Sequence, residues 1–419
     1  MNGYLSHDAA RAAFELREQL ASDKRRLAFF MGAGTSMAVG VPGINELTSK
    51  VEEKLPEPMK KVYGPIRSDL GEGANVEDVL DRVRLFRELL GDCEDRKHNG
   101  FTGKAAKELD ASICAAIRDI VCVEPAKGIL PHRTFAQWLY ASYSGRGWPV
   151  EIFTTNYDLL FERAMEGVGV PFFDGFIGSV APFFAPEPVD TDSRIQEGVY
   201  PPRSWTRLWK MHGSVNWHLL KEEPERKSHV SRLSGPVPAQ GEQLMIFPSR
   251  EKYADSRRLP FLTYQDRLRR FLSSGESVLF VLGYGFSDEH LNEIIFQGLR
   301  GNNRLAVNAL MYGVPEKENA TEMLKLPERL VEYGRTYRNM SVYGPEMAVI
   351  GGVEGKWSAP PKKKGEYDAL SYWSDKEVRF ILGDFHAFAS YLERFIGFGG
   401  EGRIAPANSA GPTEVGCEK

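Results

Sequence analysis

The stretch that decides the fold runs from Leu27 to Leu47 and reads LAFFMGAGTSMAVGVPGINEL. Its first five residues, Leu27–Met31, are apolar, and they are followed by glycines, small residues and then a polar, helix-like pattern. This order predicts a buried strand that turns directly into a helix. The glycines of the turn have two explanations. They let a phosphate group approach the backbone, or they let neighbouring segments pack closely.

The pattern of an apolar strand followed by a turn occurs again further along the chain. VEIFTTN at 150–156 is followed by the helical pattern DLLFERAME, and RLWKMHG at 207–213 ends in a turn. SVLFVLGYGFSDEHLNEIIFQGL at 277–299 repeats strand, glycine turn and helix, and RLAVNALMYG at 304–313 is another buried strand. Strands that alternate with helices predict an α/β fold with a Rossmann-like, doubly wound, mainly parallel sheet.

The remaining segments predict the domain organisation. Residues 1–333 form the core, with an inserted helical subdomain at about 44–145, and 177–204 is a long loop or a small module. A further strand is expected at 243–247. Residues 334–398 form a small C-terminal extension, in which 351–367 has the composition of a linker and 375–396 of a closing helix. Residues 399–419 have the composition of a disordered tail.

Composition excludes several classes of protein. Hydrophobic residues make up 42% and charged residues 26%, which is ordinary for a globular protein and argues against wholesale disorder. The net charge of −4 gives no overall attraction to nucleic acid, so such contact would need a local patch or a partner. No signal peptide or membrane span is legible, and the four cysteines show no disulfide framework. We therefore expect a soluble, cytoplasmic protein.

The first candidate site lies in the opening stretch and comprises Gly32, Ala33, Gly34, Thr35, Ser36 and Pro42. Glycines remove Cβ atoms from the path of a pyrophosphate, and amides at the start of the next helix can donate to it. The third glycine, Gly40, falls later than the G-x-G-x-x-G pattern requires. A tight turn without a ligand therefore remains the alternative.

Three further groups of polar residues follow predicted strands, where open α/β sheets place ligands. They are Thr155, Asn156 and Asp158; then His212; then Gly283, Tyr284, Ser287 and Asp288. Each group also has a purely structural interpretation. Asn156 is acceptable as a turn residue, the two aspartates as helix caps, and a lone histidine as an ordinary hydrogen-bonding residue.

The order of these motifs carries more information than any one of them. G-A-G-x-S-x-x-x-G-x-P, T-T-N-x-D, H-G and G-x-G-x-S-D follow one another over roughly 27–310, and this arrangement resembles the NAD-binding core of the sirtuin family. The resemblance implies that the first loop binds the phosphates of NAD. It also implies that Asn156 and Asp158 hold the ribose and nicotinamide ends, and that His212 is the general base. The implied binding residues for NAD, as substrate, are Gly32, Ala33, Gly34, Thr35, Ser36, Pro42, Thr155, Gly283, Tyr284, Ser287 and Asp288.

The sequence also departs from the sirtuin deacylases. Their G-x-P is followed by D-F-R, whereas Pro42 is followed here by Gly43, Ile44 and Asn45. Their zinc module uses two C-x-x-C pairs after the H-G, but no cysteine lies between His212 and Cys417, so no zinc is expected. Their Q-N-I-D is T-N-Y-D here. With these changes the chain is similar to the bacterial sirtuin-like NAD hydrolases of anti-phage defence, most of all to the subgroup paired with a HerA-type ATPase.

This resemblance implies an NAD glycohydrolase that cleaves NAD to nicotinamide and ADP-ribose and so depletes cellular NAD. It further implies a homo-oligomer that works with a HerA-type ATPase. Two other classes stay open. One is a protein deacylase or ADP-ribosyltransferase built on the same core, and the other is a noncatalytic nucleotide-sensing subunit of a defence complex.

Overall fold

The computed structural model describes residues 5–91, 94–98, 101–122, 130–142, 146–190, 201–202, 204–220, 229–233, 241–245, 260–315, 324–360 and 372–396. The helices in these ranges are α1 Ala9–Ala21, α2 Ala33–Met37, α3 Ile44–Lys54, α4 Glu57–Leu70, α5 Val76–Leu90, α6 Gly103–Val121, α7 Pro131–Ser142, α8 Leu160–Val168, α9 Pro186–Asp190, α10 Phe261–Ser273, α11 Glu289–Gly301, α12 Glu328–Thr336 and α13 Phe385–Glu393. None of these helices is both long enough and apolar enough to cross a membrane.

The strands in the same ranges are β1 Ser6–Asp8, β2 Arg26–Met31, β3 Lys97–His98, β4 Phe101–Thr102, β5 Glu151–Thr154, β6 Phe172–Phe173, β7 Phe176–Ile177, β8 Phe183–Phe184, β9 Thr206–Lys210, β10 Gly213–Leu220, β11 His229–Arg232, β12 Gly241–Met245, β13 Ser277–Leu282, β14 Leu305–Leu310, β15 Val314–Pro315, β16 Leu324–Lys325, β17 Met340–Tyr343, β18 Met347–Ile350, β19 Val353–Ser358, β20 Trp373–Ser374 and β21 Arg379–Phe380.

Ten of these strands form the central sheet, in the order β1-β19-β18-β17-β14-β13-β2-β5-β9-β6. From β17 to β6 every neighbouring pair is parallel. Only β18 is antiparallel to its two neighbours. The predicted α/β class with a doubly wound, mainly parallel sheet is confirmed.

Alternation along β2 shows how the two faces of the sheet are covered. Leu27 and Phe29 face the core that contains residues of α1, α7, α8 and α13, while Ala28 and Phe30 face the core that contains residues of α10 and α11. All six residues of β2 are buried. A strand buried on both faces gives the continuous apolar run seen in the sequence.

The helices α3–α6 share a separate core with Val215 of β10. These four helices, called the helical subdomain below, fall within the predicted insertion at 44–145. The helix α7 lies in the same predicted range, but it packs on α8 and α13 against the sheet. The limits of the insertion stay a prediction.

A second, antiparallel sheet has the order β12-β10-β11-β8-β7. This sheet includes part of residues 177–204, for which the sequence allowed either a long loop or a small module. The strand expected at 243–247 is observed as Gly241–Met245, and residues 246–247 lie outside the described residues.

Two expectations for the chain after 334 are wrong. Val353–Ser358 is a strand of the central sheet rather than linker, because it pairs on one side with β18 and on the other with β1. The closing helix begins at Phe385 rather than at 375, because Asp384 caps it and Arg379–Phe380 pairs with Trp373–Ser374. The predicted tail at 399–419 and the remainder of the predicted linker from 361 onwards lie outside the described residues.

Candidate functional site

The candidate residues lie where four neighbouring strands end. β13, β2, β5 and β9 are adjacent and parallel, and their last residues are Leu282, Met31, Thr154 and Lys210. The glycine turn, the T-T-N-Y-D segment, the H-G pair and the G-Y-G-F-S-D turn follow these strands directly. The topology therefore brings all four motifs to one edge of the sheet, which is the edge where open α/β sheets bind ligands.

The two glycine turns interlock. The Gly32 amide donates to the Leu282 carbonyl over 2.9 Å, and the Gly34 amide donates to the Gly283 carbonyl over 2.9 Å. A Cβ on Gly32 would lie 2.5 Å from the Gly283 carbonyl oxygen, and one on Gly34 would lie 2.7 Å from the Gly283 Cα. Close packing of two turns thus explains the absence of side chains at these three positions.

Asn156 is tied to the first glycine turn by its side-chain amide. Its Nδ2 lies 3.1 Å from the Gly32 carbonyl oxygen, 3.0 Å from Thr35 Oγ1 and 2.7 Å from Ser36 Oγ. The residue is buried, with 7% of its surface exposed. Because the donor end is held in this way, the Oδ1 end is the part of the side chain left to act as an acceptor.

Asp158 continues this chain of hydrogen bonds. Ser36 Oγ donates to Asp158 Oδ2 over 2.6 Å, while the Leu160 amide donates to Oδ1 over 3.0 Å at the start of α8. Lys210 Nζ donates to the Asp158 main-chain carbonyl and to Glu162 Oε1. The aspartate is therefore fixed from three directions.

His212 and Asp288 are brought together from loops 76 residues apart. His212 Nε2 lies 3.0 Å from Asp288 Oδ2, and both residues are buried. Asp288 Oδ1 accepts from the amides of His290 and Leu291, so the residue is also the N-cap of α11. The structural interpretation of Asp288 as a cap is confirmed, and the contact with His212 is additional.

The turn that carries Asp288 is strained. Phe286 has a φ of 53°, in the left-handed region that non-glycine residues rarely adopt. Its carbonyl accepts from Asn292 Nδ2 over 2.7 Å and from the Arg329 guanidinium. Strain of this kind persists only where the surroundings hold it, and it clusters at functional sites.

The site also contacts the helical subdomain. Tyr157, between Asn156 and Asp158, donates its hydroxyl to Glu77 Oε1 of α5 over 3.3 Å. The Tyr157 carbonyl accepts from the Val215 amide over 3.0 Å and from Ser214 Oγ over 3.3 Å. The T-T-N-Y-D segment is thus held between α5 and the strand that follows His212.

The electrostatics of the site favour an ionised Asp288. Burial alone would raise the pKa of this carboxyl, but the hydrogen bond from His212 and the amide of Leu291 favour the charged form, and the pKa is lowered overall. Ionised at neutral pH, the carboxylate can only accept hydrogen bonds.

The other predicted residues are placed differently. Ala33 and Ser287 are exposed, Thr155 and Gly34 are half-buried, and Pro42 is buried in the loop after α2. Tyr284 is buried, packs on Phe30 and donates its hydroxyl to Asn292 Oδ1 over 2.9 Å. Tyr284 therefore supports the turn from inside the core.

Sequence reasoning missed Lys210, Glu77 and Phe286. A signal for Lys210 was available, since a lysine in the apolar run RLWKM directly before H-G has no ordinary place in a buried strand. No signal linked Glu77 to Tyr157, because the two residues are 80 positions apart. Among the described residues no group of three or more histidines, cysteines or acids is arranged to hold a metal ion.

One protein-family model matches part of this chain. Residues 150–333 match the family model of the SIR2-like domain, a range that contains the T-T-N-Y-D, H-G and G-Y-G-F-S-D motifs. No curated protein matches this chain.

Several solved structures are similar. One is a Sir2 homologue in complex with NAD, with 14% identity, a TM-score of 0.36, and coverage of 74% of this chain and 86% of that chain. A mutant Sir2 homologue with ADP-ribose has 13% identity, a TM-score of 0.32 and coverage of 74% and 89%. A structure described as the structural basis of sirtuin substrate affinity has 16% identity, a TM-score of 0.32 and coverage of 76% and 98%.

Proposed function

We propose that this protein binds NAD at the carboxyl ends of β13, β2, β5 and β9 and hydrolyses its nicotinamide–ribose bond, releasing nicotinamide and ADP-ribose. The observation that carries the proposal is the convergence of Asn156, Ser36 and Asp158 in one hydrogen-bonded chain, next to the strand end that bears His212. The match of residues 150–333 to the SIR2-like domain supports NAD as the ligand.

Asn156 orients the reacting ribose in this proposal. Its amide nitrogen is already held by the glycine turn, so its Oδ1 accepts a hydrogen bond from a ribose hydroxyl or from the attacking water. Holding both reactants in place is the main demand of this reaction, because the bond breaks through an oxocarbenium-like ribose and needs little covalent help.

His212 is the general base. As the C–N bond breaks, its electron pair leaves with nicotinamide, which departs as a neutral molecule. The oxygen of water then bonds to the ribose carbon, and His212 takes the proton released from that water and passes it to solvent. The balance is NAD plus water giving nicotinamide, ADP-ribose and one proton.

The remaining parts of NAD, which are the nicotinamide, the pyrophosphate and the adenosine, are each assigned to one motif. Asp158 faces the nicotinamide carboxamide, since a carboxylate oxygen with one hydrogen bond can accept another. The pyrophosphate lies along the first turn at exposed Ala33 and half-buried Gly34. The adenosine side is assigned to the second turn, with Gly283 and exposed Ser287 at its surface.

One assay separates this function from its alternatives. Purified protein is incubated with NAD, with and without an acetylated peptide, and nicotinamide release is followed. Release without peptide supports the hydrolase. Release only with peptide supports the deacylase, which would also be favoured by stoichiometric zinc in chelator-washed protein. NAD binding with no release under either condition supports a noncatalytic sensing subunit.

Two variants test the assigned residues. Asn156→Ala and His212→Ala are each expected to lower NAD cleavage by at least roughly 10²-fold, the scale of a lost general base or positioning group. His7→Ala is the matched control, because His7 is a histidine on β1 whose ring contacts the Val353 carbonyl in the opposite half of the sheet. Wild-type turnover in the Asn156 or His212 variant would refute the assignment.

The wider role is part of the same proposal. An enzyme that hydrolyses free NAD would exhaust its own cell, so its activity is held in check by assembly, in a homo-oligomer and with a HerA-type ATPase during anti-phage defence. Of the three segments considered for such contacts, α5 and Pro182–Pro188 expose large apolar side chains, at Leu89 and Phe183. The apolar residues of the third, Phe385–Phe395, pack mostly within the chain itself. Light scattering with an activity assay, with and without the ATPase, tests this. A strictly monomeric protein whose NAD turnover ignores the ATPase would contradict it.

A further inference from the structure

We infer that Asp288 is a positioning residue for His212: it holds the imidazole with its proton on Nε2 and leaves Nδ1 as the basic nitrogen that accepts the proton of water. This inference rests on the proposed hydrolysis of NAD. It assigns to Asp288 a role through His212, in place of contact with the adenosine of NAD.

The first argument is that the two oxygens of the Asp288 carboxylate contact different partners. Oδ1 of Asp288 accepts from the His290 amide at 2.9 Å and from the Leu291 amide at 3.0 Å, while Oδ2 lies 3.0 Å from His212 Nε2. The start of α11 therefore fixes the orientation of the carboxylate. The carboxylate in turn orients the Nε2 edge of the imidazole.

The second argument is that both partners stand on rigid supports. The turn before Asp288 is held by hydrogen bonds to the Phe286 carbonyl, and the Tyr284 hydroxyl oxygen lies 3.3 Å from the Asp288 carbonyl oxygen. On the other side, the Met211 amide donates to the Thr154 carbonyl over 2.8 Å, which ties the residue before His212 to the neighbouring strand. A catalytic group is best placed by rigid elements of this kind.

The third argument concerns which nitrogen carries the proton. Burial raises the pKa of Asp288, but the hydrogen bond from His212 and the Leu291 amide outweigh it and lower the pKa overall, so the group is a carboxylate at neutral pH and can only accept. The nitrogen facing it, Nε2, must then be the donor. Within the described part of the chain, no hydrogen-bond partner occupies His212 Nδ1.

The contact between His212 and Asp288 also stabilises the state that follows proton transfer. When His212 takes up a proton it becomes a buried cation, which is costly without a partner. The Asp288 carboxylate already lies against Nε2 and stabilises the imidazolium as it forms, as an aspartate does for the histidine of hydrolytic triads.

The decisive variant is Asp288→Asn. Asparagine caps helices about as well as aspartate, so α11 should keep its start. Its carbonyl oxygen is needed by the amides of His290 and Leu291, which leaves its NH₂ group facing His212. Nε2 would then have to accept, and the proton would move to Nδ1, the nitrogen needed as base. We expect kcat for NAD cleavage to fall by about 10²–10⁴-fold, with KM changed by less than about threefold.

The matched control is Asp384→Asn. Asp384 caps α13 by accepting from the Ala387 amide, and no histidine contact to its carboxylate is described. This variant should keep wild-type kcat and KM, and both variants should unfold at nearly the wild-type temperature. If kcat/KM of the Asp288 variant falls only because KM rises, with kcat unchanged, Asp288 is a binding residue and the inference is overturned. Equal loss of activity in both variants would show a general effect of capping and would also overturn it.

A spectroscopic measurement separates this inference from the proposed function. Histidine ¹⁵N NMR distinguishes a protonated Nε2 from a protonated Nδ1 whether or not NAD is cleaved. We expect the His212 signals to show Nε2–H in the wild type and Nδ1–H in the Asp288→Asn variant. The same ring state in both proteins overturns the inference. Absence of NAD cleavage by the wild type, with the expected ¹⁵N change, would instead count against the hydrolase.

Discussion

Ser36 Oγ and Asp158 Oδ2 lie 2.6 Å apart, although the two residues are separated by 122 positions in the chain. Ser36 also accepts from Asn156 Nδ2 over 2.7 Å. One buried hydroxyl therefore joins the first glycine turn to both polar residues of the T-T-N-Y-D segment. Among the residues that the structure describes, no other group is hydrogen-bonded to the side chains of both Asn156 and Asp158.

Ser36→Ala is expected to lower NAD cleavage by roughly 10-fold or more. Asn156 loses one of its three acceptors, and the Asp158 carboxylate loses the one side-chain donor that the described part of the chain provides. Unfolding should become easier by about 1–3 kcal/mol, the usual cost of leaving buried polar groups without a partner. Initial rates of nicotinamide release and urea titration measure the two effects.

The control for that variant is Ser49→Ala. Ser49 lies on the exposed side of α3, where its hydroxyl donates to the Asn45 carbonyl. Its loss should change neither quantity measurably. Normal cleavage in the Ser36 variant would show that the link between Asn156 and Asp158 is structural only.

Gly283→Ala is expected to destabilise the protein by about 1–3 kcal/mol. Gly283 has a φ of +61°, and a Cβ there would lie 2.5 Å from the Thr35 amide nitrogen. The two turns would have to separate, so NAD binding should weaken as well. Thermal unfolding and calorimetric titration with NAD check the prediction.

Gly285→Ala provides a comparison within the same turn. No described heavy atom lies within 4 Å of a Cβ built there, and its φ is not in the left-handed region. It should unfold like the wild type. If the two variants behaved alike, interlocking of the glycine turns would not be what requires Gly283.

The sequence predicted the edge of the sheet where the motifs meet, because strand ends can be located from apolar runs alone. It could not predict which polar atoms touch. The pairing of His212 with Asp288 and of Ser36 with Asp158 depends on how loops from different strands approach, which a local pattern does not encode. The strand Val353–Ser358 was missed for a related reason: its glycine and charged residues are typical of a linker, and its pairing with β1 and β18 overrides that local preference.

Glu151 is the first residue of β5, at the opposite end of the strand from the site, and it is the centre of a buried charge cluster. Arg267 donates to both of its oxygens over 2.8 Å, Trp209 Nε1 donates to Oε2 over 2.8 Å, and Arg26 lies 3.4 Å from Oε1. Burial alone would raise the pKa of Glu151, but the two arginines and the indole outweigh it and lower the pKa from 4.5 to about 2.

Glu151→Gln is expected to cost about 3–5 kcal/mol of stability at neutral pH, since it removes the buried negative charge that the guanidinium groups of Arg26 and Arg267 contact. The pKa of Glu151 is lower in the folded state, so its stabilisation is fully present above 4.5 and is lost as the pH falls toward about 2. The difference in unfolding free energy between wild type and variant should therefore shrink on acidification over this range. Urea titrations at several pH values measure it, and a difference independent of pH would contradict the prediction.

Tyr157 links the site to the helical subdomain, and its hydroxyl should remain a donor at all ordinary pH values. Burial and the neighbouring Glu77 raise the pKa of Tyr157 well above its usual range. Tyr157→Phe removes the hydrogen bond to Glu77, in the first turn of α5. We expect a loss of about 1 kcal/mol and faster hydrogen exchange at the start of α5.

NAD cleavage should fall by less than about 10-fold in this variant, because Asn156 and Asp158 keep the hydrogen bonds that tie them to the first glycine turn. Tyr140→Phe is the control, since Tyr140 is an exposed tyrosine of α7. A hydrolase regulated through its helical subdomain would need a connection from α5 to the reacting residues, and Tyr157 supplies one. If exchange in α5 were unchanged while cleavage collapsed, Tyr157 would act on the substrate side of the loop instead of as a link to α5.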